Sequence, residues 1–185
     1  MPLPPATVPR THAHTRGVRL EGYKRADGLW DLDAHLADTK PQDFKLASGV
    51  RPAGAAIHEM HIRLTIDAHF NVVDAVASTD AMPYPGHCDE VTPDYHKLVG
   101  LNLMHGFRKA VKELLGGVRG CSHLTELLGH FPTLALQTYA GERKDTEDRG
   151  GKPFQLDRCH ALETSGEAVR LYYPRWFRGT KTGSE

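Results

Sequence analysis

Three side chains in this sequence are of the kinds that ligate zinc and iron: His58, Cys88 and Cys121. The surrounding pattern puts them at the end of a strand, in a loop and at the start of a helix, so separate segments can converge on one ion. Two thiolates and one imidazole suit zinc or iron, whereas magnesium and calcium take oxygen donors. Asp89, beside Cys88, is a further candidate ligand, and the fourth position falls to water, Asp89 or His123. An open position makes such a site catalytic. The ion then polarises a substrate oxygen or activates water, while His123 or His87 moves a proton, a role for which an imidazole near neutrality is suited.

The same residues admit other readings. Cys121 at a helix start, where unpaired N–H groups favour a thiolate, could act as a nucleophile with His123 as its base, giving metal-free acyl-transfer or lyase chemistry. A non-catalytic metal carrier or assembly factor, handing metal or sulfur to a client metalloprotein, is a third function. The structural alternative is plain packing, since cysteine is among the most buried residue types and His58 can be an edge histidine. Cys159-His160 falls in an expected strand, where neighbours point to opposite faces and do not share an ion. Tyr172, Tyr173, Trp176 and Phe177 either hold a small aromatic substrate or close a core.

The elements that position these residues follow from periodicity. Val18, Leu20 and Gly22 alternate with polar residues, Ala26-Asp27-Gly28 makes a turn, and Trp30, Leu32, Ala34 and Leu36 alternate with Asp31, Asp33 and His35. This is a hairpin with one apolar face. After a connection over 40–55, Met60, Ile62, Leu64 and Ile66 define another strand, with His58 on its inward parity and residues 72–78 as its partner. Helical spacing joins Tyr95, Val99, Leu103, Phe107, Val111 and Leu114, ending at Gly116-Gly117. A second helix starts at Cys121 or Ser122, with Leu124, Leu127, Leu128, Phe131, Leu134 and Ala135 on its buried side and a kink or restart at Pro132. Glu142 to Lys152 reads as a charged linker, and residues 154–162 and 169–173 as two strands. The whole predicts an α+β fold, an antiparallel sheet packed on two or three helices. Residues 1–15 read as a flexible arm, 16–178 as a single domain and 179–185 as a flexible tail.

Composition narrows the function classes. The 185 residues carry 23 basic and 23 acidic side chains, so no net field favours nucleic acid or an anionic membrane. No apolar run approaches the roughly 20 residues that span a bilayer, and the N-terminal residues lack a secretory pattern. Three cysteines at wide spacing suit reduced thiols or metal ligands in a cytoplasmic protein better than a disulfide framework. The expected partner is therefore a small-molecule substrate or a client metalloprotein.

The order strand, cysteine loop, helix, cysteine-opened helix over residues 60–137 resembles the NifU-like iron-sulfur cluster assembly scaffolds. Gly86-His87-Cys88 occupies the place of that family's second cysteine, Gly120-Cys121-Ser122 that of the third, and His58 that of an aspartate, while Ala56 replaces the first cysteine. The resemblance implies a NifU-like core with an added N-terminal hairpin and C-terminal strands, and a zinc, iron or iron-sulfur site between hairpin and helices. With Asp27-Gly28-Leu29-Trp30-Asp31 and Gly120-Cys121-Ser122-His123-Leu124, most of the chain resembles the bacterial domain-of-unknown-function family 2889.

Overall fold

Alternation decides the first strands, because a strand with every second residue apolar buries one face and wets the other. The computed structural model describes residues 2–142 and 151–179. In it the first hairpin is β1 (Thr15–Lys24) paired antiparallel with β2 (Trp30–Thr39). Gly28 in the turn has φ 84°, a left-handed conformation that glycine adopts without steric cost. The connection that follows carries a small hairpin of its own, β3 (Phe44–Leu46) with β4 (Gly49–Arg51). β5 (Ala56–Ile66) and β6 (Val72–Ala81) complete a four-stranded antiparallel sheet in the order β1-β2-β5-β6.

One face of this sheet is hydrocarbon. Trp30, Leu32, Ala34 and Leu36 of β2 lie beside Met60, Ile62, Leu64 and Ile66 of β5, all buried. Tyr95, Leu98, Leu124, Leu127, Leu128 and Phe131 are buried with them, and each such Leu or Ile contributes roughly 1.5–3 kcal/mol relative to exposure. The fold is α+β, as its alternation and helical spacing predict.

The helical layer differs from expectation in one place. The stretch from Tyr95 to Leu114 is not one helix: a 3-10 helix, Thr92–Leu98, is followed by a loop and then by α1 (Phe107–Leu115). Gly100 and Gly106, at φ 88° and 68°, hold left-handed backbone that no helix can contain. Leu103 is nevertheless buried from the loop, which is why the helical spacing persists through the break. Cys121 occupies the N-cap of α2 (Ser122–Leu128), and α3 (Phe131–Tyr139) restarts beyond Gly129 with Pro132 in its first turn, where a missing N–H costs nothing.

The chain divides into two compact units, residues 1–138 and 139–185. In the second, the strands expected at 154–162 and 169–173 are absent among the described residues. That segment contains a 3-10 turn, His160–Leu162, and α4 (Glu167–Tyr172) instead. The Asp157 carboxylate accepts the Thr164 N–H at 2.8 Å, closing a loop that denies the segment an extended path, and Arg170 Nε bonds Glu167 at 2.8 Å one helical turn away. Cys159 therefore sits exposed ahead of a turn, not in a strand. Most of the expected linker, Glu142 to Lys152, and the tail beyond Gly179 lie outside the described residues.

At Gly22, β1 and α3 approach closely. A Cβ there would stand 1.9 Å from Thr138 Oγ1 and 2.7 Å from its Cβ, so the backbones must part. Gly22→Ala is expected to lower unfolding free energy by about 1–3 kcal/mol in urea titrations. Gly22→Ala combined with Thr138→Ala should recover part of that loss.

Candidate metal centre

On the inward face of β2 and β5 the partners are apolar from Trp30–Ile66 to Leu36–Met60, and the next pair breaks the pattern. Register places Val18 opposite Leu36 and Leu36 opposite Met60; two residues on, it places Arg16 opposite Asp38 and Asp38 opposite His58. A guanidinium, a carboxylate and an imidazole thus replace hydrocarbon at one end of the core. Asp38 is only 2% exposed, and a carboxylate removed from water must be paired and hydrogen-bonded to remain charged. Arg16 supplies a two-pronged bond, Nε to Oδ1 and Nη2 to Oδ2, each 2.8 Å. His14 Nε2 lies 3.0 Å from Oδ1 and His58 Nδ1 3.1 Å from Oδ2. His123 Nε2 stands 3.6 Å from the same Oδ2, with its ring 4.0 Å from that of His58.

Local features put the two imidazoles there. The β2–β5 register slips between Asp38 and Thr39, leaving Ile57 as the extra residue of a bulge, and a bulge re-aims the side chain next to it. His123 is delivered by the first turn of α2, whose start is pinned by Tyr95. The fully buried Tyr95 hydroxyl accepts the Cys121 N–H and donates to the Cys121 carbonyl, both at 3.0 Å, and it lies 3.0 Å from Thr125 Oγ1. One phenol therefore does the work of a helix cap that no side chain at Cys121 supplies. Burial pushes the phenol up to about 12, so it remains a donor.

The charges in the cluster sort themselves by environment. Burial pushes the Asp38 carboxyl upward, but the Arg16 hydrogen bonds and charge, with His14 and His58, outweigh it and hold the group at about 2. Burial pushes His58 down, against the pull of Asp38. It pushes His123 down as well, helped by the neighbouring His58 and Arg16. At neutral pH the cluster is an anionic carboxylate facing two uncharged imidazoles, the protonation state that metal ligands require.

A cleft of about 360 Å³ adjoins this cluster and shares His58 and His123 with it. His58, His87, Cys88, Cys121 and His123 all line it, so five of the six side chains singled out in the sequence meet in one place. The sixth, Asp89, is exposed and does not line the cleft; its carbonyl accepts the Thr92 N–H and hydroxyl. Cys121 Sγ lies 3.9 Å from His123 Nδ1 and 3.7 Å from Met60 Sδ. Among the described residues, two groups of His, Cys, Asp and Glu have donor atoms within 4.8 Å of one another, and one is Asp38, His58 and His123. Neither group contains a cysteine. Asp38 is the member that ligand-type reasoning passes over, although its even number sets it on the parity of Trp30, Leu32, Ala34 and Leu36. A carboxylate on the apolar parity of a strand is the signal that could have found it.

Residues 14–137 match the family described as Protein of unknown function (DUF2889). The chain belongs to this family. The DUF2889 stretch coincides with the first compact unit almost to its end and contains every residue of the Asp38 cluster, from His14 to His123. No curated protein and no solved structure matches the chain. No helix among the described residues is long and apolar enough to cross a membrane.

Two outcomes follow from the cluster. A folded-state carboxyl held below its unfolded value of about 3.9 contributes stability above that value and loses it as pH falls toward about 2. In buffer containing EDTA, Asp38→Asn should flatten the fall in unfolding free energy, measured by urea titration, between about pH 4 and 2 by an amount on the order of 2 kcal/mol. Tyr95→Phe should cost about 1–3 kcal/mol, because it strips the Cys121 N–H of its acceptor inside the core; equilibrium unfolding measures this directly.

Proposed function

We propose that this protein is a metal-dependent enzyme acting on a small organic substrate, with Asp38, His58 and His123 as the ligands of a divalent zinc or iron ion. The observation that carries this reading is the spacing of the three donors around one buried carboxylate oxygen. Ligands at about 2.1 Å from a tetrahedral ion stand about 3.4 Å apart. Asp38 Oδ2 is 3.1 Å from His58 Nδ1 and 3.6 Å from His123 Nε2, on either side of that value. Two imidazoles and one carboxylate are the donor set of catalytic zinc and non-haem iron sites, and two of these side chains, His58 and His123, also line the cleft.

When bound, the ion supplies Lewis acidity for a hydrolase or lyase reaction. The protein's own residues supply the rest. Arg16 fixes both oxygens of Asp38, and Cys121 Sγ lies against Nδ1 of His123, so two of the three ligands are oriented by a neighbour that does not itself bind. Pro83, Tyr84 and Val118 give the cleft apolar walls suited to an organic substrate, aromatic ones included, and His87 stands exposed on its rim to exchange a proton with solvent. The ligand side chains are sheltered, those of His58 and His123 20% exposed and that of Asp38 3%, which suits a retained ion better than one passed to a client protein.

The contact between Cys121 and His123 supports a second reading, in which Cys121, His123 and Asp38 form a nucleophile, base and orienting carboxylate. Metal-free protein treated with iodoacetamide at neutral pH decides it: Cys121 should then be modified faster than the exposed Cys159, and a slower reaction rules the triad out. For the metal reading, elemental analysis of protein purified without a metal column should show that His58→Ala and His123→Ala each lose one equivalent of zinc or iron. Cys88→Ser should keep it. Unchanged metal content in both histidine variants would overturn the ligand assignment.

A further inference from the structure

We propose that the opposite, solvent-facing side of the same sheet carries a second and independent site for a first-row divalent ion such as zinc or nickel, held by His35, Glu59 and His61. His35 of β2 and His61 of β5 are directly opposed across the strand pair, and both belong to the outward parity, the face away from Asp38 and His58. Cross-strand partners bring their side chains close, and here the two rings lie nearly parallel, 15° apart in plane and 4.4 Å between centroids. Glu59, two residues before His61 on the same face, reaches diagonally so that its Oε1 is 3.2 Å from His35 Nε2.

One nitrogen from each histidine and one Glu59 oxygen lie within 4.8 Å of one another. The measured His35–Glu59 separation is close to the about 3.4 Å edge of a tetrahedral zinc site. A second carboxylate stands at the other end of the pair, with Asp80 Oδ2 at 3.3 Å from His61 Nε2. None of the three ligating side chains is fully exposed, His35 being 28% and Glu59 38% accessible, so the sheet surface already restricts their rotamers. The neighbouring ionic groups do not compete for them: Arg63 is committed to Asp33 by two bonds of 2.6 Å, and Arg25 to Asp27 and Asp31. Two imidazoles with one or two carboxylates select zinc, nickel or copper over calcium and magnesium.

Such an ion would tie the two central strands together from outside, with no part in the chemistry of the inner cleft. The test is equilibrium dialysis against zinc alone, followed by elemental analysis, on wild type, His58→Ala, His61→Asn and the combination of the two. With both sites present the expected stoichiometries are two, one, one and none. One equivalent in wild type that survives His58→Ala and vanishes in His61→Asn supports the outer site and removes the inner one. His61→Asn binding as much zinc as wild type overturns the outer site, and so does a wild type that binds none. Glu59→Gln guards against a folding defect: with an unchanged urea midpoint in EDTA it should weaken zinc binding at the outer site at least tenfold, and unchanged affinity would count against the assignment.

Discussion

A single buried carboxylate constrains this fold more than any other group. Asp38 is removed from water at the end of an otherwise hydrocarbon face, and the two-pronged bond from Arg16, with His14 and His58 beside it, makes its charge tolerable there. A lysine in that place would bring a point charge without the planar fork that matches both oxygens. Meeting this one requirement brings together β1, β2, β5 and α2, because Arg16, Asp38, His58 and His123 each come from a different one of them. The Arg16 fork reaches further still, to Glu126 on α2 through Nη1 at 2.6 Å.

The pleat explains how one sheet can carry two polar assemblies of different character. Along β2 the even residues run from Trp30 to Asp38 into the core and the odd ones from Asp31 to Thr39 toward solvent. Inside, desolvation strips the two imidazoles of charge and leaves Asp38 as the anion. Outside, Asp33 pairs with Arg63 and His35 with Glu59 across β2 and β5, and Asp31 pairs with Arg25 from the turn before β2, where water screens each pair and its contribution to stability is small. The same residue types therefore serve different ends on the two faces.

Much of this was legible from residue patterns alone. Strict alternation gave both hairpins, Gly120-Cys121-Ser122 marked the start of α2, and the even number of His58 placed it on the inward face. His58, His87, Cys88, Cys121 and His123 line one cleft. Ligand type, however, drew attention to the thiols, whereas the close-set donors are two imidazoles and a carboxylate. His14 and Arg16 lie where hydrophobic pattern is weakest, and nothing local links them to a residue more than twenty positions away. The bulge at Ile57 is a property of strand pairing and has no signature within β5 itself. Gly100 and Gly106 were visible as glycines, but only their left-handed backbone shows that they override the helical spacing around them. The C-terminal segment has alternation, but its described residues join neither sheet and form 3-10 turns and α4 instead.

The sequence separations within the cluster have a kinetic meaning. His14, Arg16, Asp38, His58 and His123 are joined by loops of about twenty residues and then by one spanning 58 to 123, so their contacts are among the last that chain closure can complete. A chain that has formed only the β5–β6 hairpin holds His58 without Asp38 or His123 beside it. The cluster thus exists only in the finished fold, and an ion that requires all three donors would discriminate the native chain from its partly paired precursors.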